Sequence, residues 1–370
     1  MIIGIPKEIK DNEKRVSLTP YGALELVKDG NKVLIEKNAG LGSGFSDQSY
    51  IKSGAVICDT ADDIFSNSEL IVKVKEPQSN EINKIKEDQI VFTFFHFAAS
   101  AELTKGILDT GCTAVAYETV QSEDNTLPIL IPMSEVAGRM SVQNGAKCLE
   151  GNMGGKGKLL GGVPGVDAST VTILGGGVVG SNAAKLAAGL GAKVYILDVN
   201  MNRLRYLDDV MPSNVQTMYS NEHNISDLLS FTDLLIGSVL VVGAKAPNLV
   251  TKDMLNIMNP GSVIVDVAVD QGGCVETCKP TTHKEPTYEV NNIVHYCVSN
   301  MPGSVPHTST LALTNITLPY IKNLSNNSLK DAFLYDKSLS KGLNMYKGNI
   351  CHEGVAKTFD FNYTESSVLL

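Results

Sequence analysis

Short runs of β-branched and aliphatic residues alternate along this chain with segments whose apolar positions recur every three to four residues. The first runs are Ile2–Ile5, Lys32–Glu36, Ala55–Cys58, Leu70–Lys75, Gln89–Phe95 and Thr113–Glu118; Tyr21–Lys28, Ala61–Ser66 and Ala101–Thr110 between them carry helical spacing. Such alternation implies a parallel sheet covered by helices. The pattern pauses around Pro128–Pro132, and Ser134 then stands where a capping side chain belongs, predicting a helix to about Glu150 that Gly151 stops. The stretch Gly151–Gly165 contains Gly-Gly-Lys-Gly, but no Ser or Thr follows the lysine as a phosphate loop requires, so it reads as a surface loop or hairpin. A second set follows, with strands at Thr170–Leu174, Lys193–Asp198, Val215–Ser220, Asp233–Val239, Ser262–Ala268 and Ile293–Val298. Thr308–Leu324 predicts another long helix, and the remainder to Leu370 reads as helical and then irregular.

A chain of 370 residues is too long for one ordinary core. The expected fold class is α/β: two doubly wound parallel-sheet domains of Rossmann type flanking a cleft and linked by two long helices. Because the chain enters and leaves its central part through those helices, the first domain is expected to be discontinuous, residues 1–129 with 307–370, around a second domain of residues 130–306. With 43% hydrophobic and 19% charged residues there is enough apolar material to fill both cores. A net charge of −9 argues against nucleic-acid or anionic-membrane partners.

Met1–Lys10 lacks a basic stretch and a long apolar core, so no signal peptide is expected. The charge-free stretch Ala168–Ala184 is broken by Ser, Thr, Asn and glycines and suits a strand, turn and helix better than a membrane span. Seven scattered cysteines fit free thiols in a reducing, cytoplasmic compartment. Cys274, Cys278 and His283 are not spaced as a zinc knuckle, and no metal is expected.

The apolar run Thr170–Leu174 is followed at once by Gly175-Gly-Gly177-Val-Val-Gly180, a helical pattern, and a second strand ending in Asp198. A lone glycine triplet is weak; strand, turn, helix, strand and terminal acid in this order are not. Gly175 permits the tight turn, Gly177 lets a pyrophosphate approach the backbone, and Gly180 lets helix and strand pack closely. The helix N-terminus then offers unpaired N–H groups to phosphate. Asp198 can accept both ribose hydroxyls and would repel a 2′-phosphate, so NAD is favoured over NADP. Ligands of such sheets sit beyond the C-terminal strand ends, which nominates Ser220, Val239, Leu240, Ala268, Val269, Asp270 and the turn Ser299-Asn300-Met301-Pro302 as cofactor-facing positions; Val267 joins the cofactor contacts. Ser134 and Arg203 are added to them.

The same rule in the first domain picks out Lys75, His96 and, in the loop after the first strand, Arg15. Two cations and an imidazole suit a small anionic substrate, with Arg gripping a carboxylate bidentately. Each has a bland alternative: Arg15 as a surface residue, Lys75 as part of an exposed Lys73/Lys75/Glu76 pattern, His96 among phenylalanines as a core histidine, and Asp270 as a turn cap.

Further motifs bear on that choice. Gly4-Ile-Pro-Lys-Glu8, Arg15-Val16, Gly40-Leu-Gly-Ser-Gly-Phe45, Val74-Lys-Glu-Pro77 and Glu135-Val-Ala-Gly-Arg-Met140 resemble the alanine dehydrogenase family. So do Gly161-Gly-Val-Pro-Gly-Val166, Asp266-Val-Ala-Val-Asp270 and Asn300-Met-Pro-Gly-Ser-Val-Pro-His-Thr-Ser-Thr310. These span nearly the whole chain in the family's order. The resemblance implies NAD-dependent interconversion of L-alanine with pyruvate and ammonium, in an interdomain cleft of a homohexamer. It places the family's substrate-binding Arg and Lys on Arg15 and Lys75 and its acid/base His and Asp on His96 and Asp270. The related rivals are the NAD-binding component of a transhydrogenase and, more distantly, saccharopine dehydrogenase. From another class, the chain reads as a non-catalytic dinucleotide-binding module.

Overall fold

The computed structural model describes residues 1–239 and 247–369. The chain divides into two compact units, residues 1–133 with 305–370 and residues 134–304.

In the first unit the strands are β1 (Ile2–Ile5), β2 (Lys32–Glu36), β3 (Val56–Cys58), β4 (Leu70–Val72), β5 (Ile90–Thr93) and β6 (Thr113–Ala116). They lie in the order β3-β2-β1-β4-β5-β6 and all pair in parallel. Helices cover both faces, so β4, β5 and β6 are buried at every position, which is why their sequences read as continuous apolar runs rather than alternations. One face packs Leu34, Ile71, Val91 and Ala114 against Ile64, Phe65 and Ile107 from the helices Ala61–Asn67 and Ala101–Thr110.

The second unit repeats the scheme with β7 (Thr170–Leu174), β8 (Lys193–Asp198), β9 (Val215–Tyr219), β10 (Leu234–Gly237), β11 (Val263–Asp266), β12 (Thr287–Val290) and β13 (Ile293–Tyr296). Its order is β12-β13-β11-β10-β7-β8-β9, parallel except for the edge strand β12. Without β12 this is the doubly wound order, with its reversal between β7 and β10.

Several local expectations need correction. Helix formation begins at Leu130, not after Ser134: the helix is Leu130–Cys148, and Ser134 lies inside it. Pro132 falls in its first turn, where the missing N–H has no intrahelical partner to lose, so the proline that seemed a pause is an opening. Strands β4, β5 and β6 stop two or three residues short of the predicted ends, because Lys73–Lys75, Phe94–Phe95 and Tyr117–Glu118 turn out of the ladder. β12 was not foreseen. Nor was the hairpin of β14 (Leu343–Tyr346) and β15 (Asn349–Ile350), which adds antiparallel to β6. Its two-residue turn, Lys347-Gly348, has both residues at positive φ, a lysine where the usual turn signal would place Asn or Asp. The loop Gly151–Gly165 is largely irregular, and at its end Val163 and Val166 pair across the Pro164-Gly165 turn.

Candidate active site

The glycine turn of the second unit is built as its sequence requires. Gly175 has φ +98°, and a Cβ on Gly180 would lie 1.9 Å from the Gly175 carbonyl oxygen, so the helix Val178–Gly189 approaches the strand as only glycine allows. Gly177 is the N-cap, contributes no side-chain bond, and a Cβ there would meet nothing within 4 Å. The space beside Gly177 is open and no side chain caps the helix, a fit for a pyrophosphate on its first N–H groups.

Asp198 accepts the Gly176 N–H at 2.8 Å through one oxygen and the Asn200 N–H at 2.8 Å through the other. It fastens the turn it was expected to serve, and each oxygen keeps a lone pair for a ribose hydroxyl. Arg203 donates from Nε to the Gly176 carbonyl at 2.5 Å and lies over the Tyr206 ring.

Beyond β9, β10, β11 and β13 lie the other nominated contacts. The Ser220 N–H bonds the Asp198 carbonyl, Val239 is half-buried, and Ala268, Val269 and Met301 are buried. Val267 is half-buried, and so is Asn300, which adopts φ +61°. Leu240 lies outside the described residues. Asp270 is exposed on the 3-10 turn Val269–Gln271 and accepts a short hydrogen bond from the Ser299 hydroxyl. That turn is organised by Asp266, fully buried at the end of β11, which accepts from the N–H groups of Ala268 (2.9 Å), Cys274 (2.7 Å) and Val275 (3.3 Å). Burial raises its pKa, and those backbone donors oppose the shift.

In the first unit the buried charges are paired with care. Arg15 is 2% exposed, which excludes a surface role; Glu13 takes its Nε at 2.7 Å and its Nη2 at 2.6 Å, and Met133 Sδ meets Nη1 at 3.1 Å. Lys73 does not belong to an exposed pattern. It is fully buried between Glu8 and Glu81, 3.0 Å from each. Glu8 also accepts the N–H groups of Val74 (2.6 Å) and Lys75 (3.3 Å), and the Thr93 hydroxyl donates to the Lys75 carbonyl at 3.0 Å. The backbone of Lys75 is thus held on both sides. Its half-buried ammonium makes no hydrogen bond or ion pair among the described residues. Burial, then the positive charges of Arg15 and Lys10, lower its pKa, against Glu76 and Glu13.

His96 takes the left-handed conformation, φ +53°, its N–H donating to Glu118 at 2.5 Å and that of Phe95 to the same carboxylate at 3.2 Å. The ring is exposed, stacked beside Phe94, so it is no core histidine. Crowding by surrounding protein lowers its pKa; Glu118 opposes this and Lys75 reinforces it. Arg15 thus acts on Lys75, and Lys75 on His96, through charge.

With this geometry in view, relatives become informative. The alanine dehydrogenase/PNT N-terminal domain family matches residues 4–137 and its C-terminal domain family residues 141–353. The chain belongs to the alanine dehydrogenase/PNT family. An alanine dehydrogenase of Methanococcus maripaludis is 54% identical over all of both chains, and one of Bacillus subtilis is 52% identical over all of this chain and 98% of the relative. A solved structure titled L-alanine dehydrogenase superposes with a TM-score of 0.95 at 52% identity, covering 97% of this chain and 99% of that one.

Sequence reasoning assigns no role to four acids that hold neighbouring residues in place here: Glu8 and Asp266, known from it only as motif members, and Glu13 and Glu118. Each acts through backbone N–H groups or a neighbouring cation, and no periodicity announces such a partner. Among the described residues no group of three His, Cys, Asp or Glu side chains could hold a metal, and no helix is long and apolar enough to cross a membrane. His283 directs its nitrogens to the Asn300 carbonyl (3.2 Å) and the Ser304 hydroxyl (2.8 Å).

Proposed function

We propose that this chain is an NAD-dependent alanine dehydrogenase that interconverts L-alanine with pyruvate and ammonium. The observation that carries this is identity of about half over the full length with proteins of that name, joined to a glycine turn that fits a dinucleotide. NAD, when bound, takes the hydride from the α-carbon of alanine and, as NADH, returns it in the reverse direction. The Gly175–Gly180 turn and helix N-terminus would hold its pyrophosphate, and Asp198 its ribose hydroxyls, excluding a 2′-phosphate.

Arg15, its orientation fixed by Glu13, holds the substrate carboxylate. Lys75 adds a second positive charge and polarises the carbonyl or amino end. After hydride loss the substrate is an iminium; water adds to its carbon, and the carbinolamine so formed collapses to pyruvate as its C–N bond breaks and ammonia leaves, protonated to ammonium. A ring nitrogen of His96 takes up or delivers the proton, and the Asp270 carboxylate manages that of the water or amine. Rate enhancement comes from orientation and from fixed charge around the developing carbinolamine. A homohexamer in the cytoplasm belongs to the same proposal, supported by family resemblance and by seven free cysteines.

A panel of amino acids assayed with NAD and with NADP tests it. NADH appearing with L-alanine at alkaline pH is the expected result. NADH binding with no turnover of any amino acid would leave a nucleotide-binding module instead.

A further inference from the structure

Two motifs that the chemistry above leaves unused, Gly40–Phe45 and the start of the helix Pro306–Asn326, meet around the loop that carries Arg15. The Val16 N–H donates to Thr310 Oγ1 at 3.1 Å, Thr310 Oγ1 lies 2.9 Å from Ser43 Oγ, and Ser43 Oγ donates to the Lys14 carbonyl at 2.9 Å. Each hydroxyl has one proton to give. Ser43 Oγ has the Lys14 carbonyl at 2.9 Å and the Pro306 carbonyl at 3.3 Å as acceptors, and either hydroxyl can donate between Ser43 and Thr310. With the Ser43 proton on the nearer carbonyl, Thr310 donates to Ser43 and the chain runs from the N–H after Arg15 to the C=O before it. Ser43 is 1% exposed and Thr310 0%, so no solvent competes for these bonds.

The surroundings fit this purpose. A Cβ on Gly42 would lie 2.8 Å from Lys14 Cβ and 2.9 Å from the Lys14 carbonyl oxygen, so only glycine lets the loop press this close. His307, on the same helix turn, bonds the Ser43 carbonyl through Nδ1 at 2.7 Å, and its ring lies 5.6 Å from that of Phe45.

We infer that Ser43 and Thr310 are positioning residues for substrate binding: their hydroxyl relay fixes the backbone on both sides of Arg15 and so aims its guanidinium at the substrate carboxylate. The inference deepens the proposed function and rests on Arg15 being the carboxylate ligand. Glu13 orients the side chain from within the loop; the relay holds the loop itself.

The full-length enzyme tests this in the reductive direction, with KM for pyruvate measured at saturating NADH and ammonium and NADH affinity measured separately by fluorescence. Thr310→Val, which keeps the shape and removes the relay, and Ser43→Ala are expected to raise KM for pyruvate about tenfold, the usual scale for stranding a buried hydrogen-bonding group. NADH affinity should stay within about twofold, and Thr310→Ser, which restores the hydroxyl, should return KM to near the wild-type value. A purely structural role would loosen NADH binding in parallel or leave Thr310→Ser as impaired as Thr310→Val; either result overturns the inference, as does an unchanged KM. Should Ser43→Ala fail to fold, Thr310→Val decides alone. Arg15→Lys separates the two levels: if it raises KM while Thr310→Val does not, only the relay falls; if it leaves KM unchanged, the carboxylate assignment falls and the relay with it.

Discussion

The two units run their first six parallel strands in the same order, yet they furnish the ends of those strands differently. Beyond β7 and β8 the second unit offers backbone: glycines, a bare helix N-terminus, and an acid, Asp198, whose two oxygens brace the turn. Beyond β1, β4 and β5 the first unit offers side-chain charge, with Arg15 and Lys73 buried against carboxylates and Lys75 left for something else. The difference follows from the ligands each suits. A pyrophosphate spreads charge over many oxygens that a row of N–H groups can meet, whereas a three-carbon acid has one carboxylate and needs full charges at fixed points. Charge buried in the first unit must itself be neutralised, as Glu13 does for Arg15 and Glu8 with Glu81 for Lys73.

If the contrast is right, damage to the two units should fail in different assays. The largest effect is expected for His96→Ala: turnover falls by about 10² to 10⁴ while NADH binding stays near normal, the scale of a lost general acid/base. Equal loss of NADH binding, measured by fluorescence titration, would make His96 structural. Gly180→Ala should do the reverse, since its methyl must displace the Gly175 carbonyl. An overpacking cost of about 1–3 kcal/mol predicts a roughly 5- to 150-fold weaker NADH complex, and normal affinity would show that the turn can shift at little cost.

Asp198→Gly is expected to erode the preference for NAD over NADP by about tenfold, comparable to a charge-assisted hydrogen bond and a removed repulsion. Unchanged discrimination would remove Asp198 from cofactor choice. The smallest effects are in pH profiles. Deamination needs neutral His96, so kcat/KM for alanine falls as pH drops through its pKa; because that pKa is lowered from 6.5, the acid limb should lie below pH 6.5. Lys75, lowered from 10.5, should lose its charge at a lower pH than an ordinary lysine, so KM for pyruvate rises early on the alkaline side. An acid limb above pH 6.5 would assign the proton to another group.

The alternation of apolar runs and helical segments determined the parallel strands of both sheets but not the antiparallel β12, β14 and β15. The Gly175–Gly180 turn with Asp198 was legible because its chemistry is local: strand, turn, helix and acid lie within a short stretch. Arg15, Lys75, His96 and Asp270 were nominated by type and by place after a strand, but residue type alone left each with a bland alternative. Only the tertiary structure decided that Arg15 is buried on Glu13 and His96 exposed under Glu118. It also revealed that Lys73 is a buried ion rather than a surface one. The partners concerned are far apart in sequence or carry no repeating signal: Glu8 meets Lys73 across 65 residues, and Ser43 meets Thr310 across 267. Periodicity reports which face of an element is apolar. A buried charge or hydroxyl is settled by which distant group satisfies it, and that partner exists only once the chain has folded.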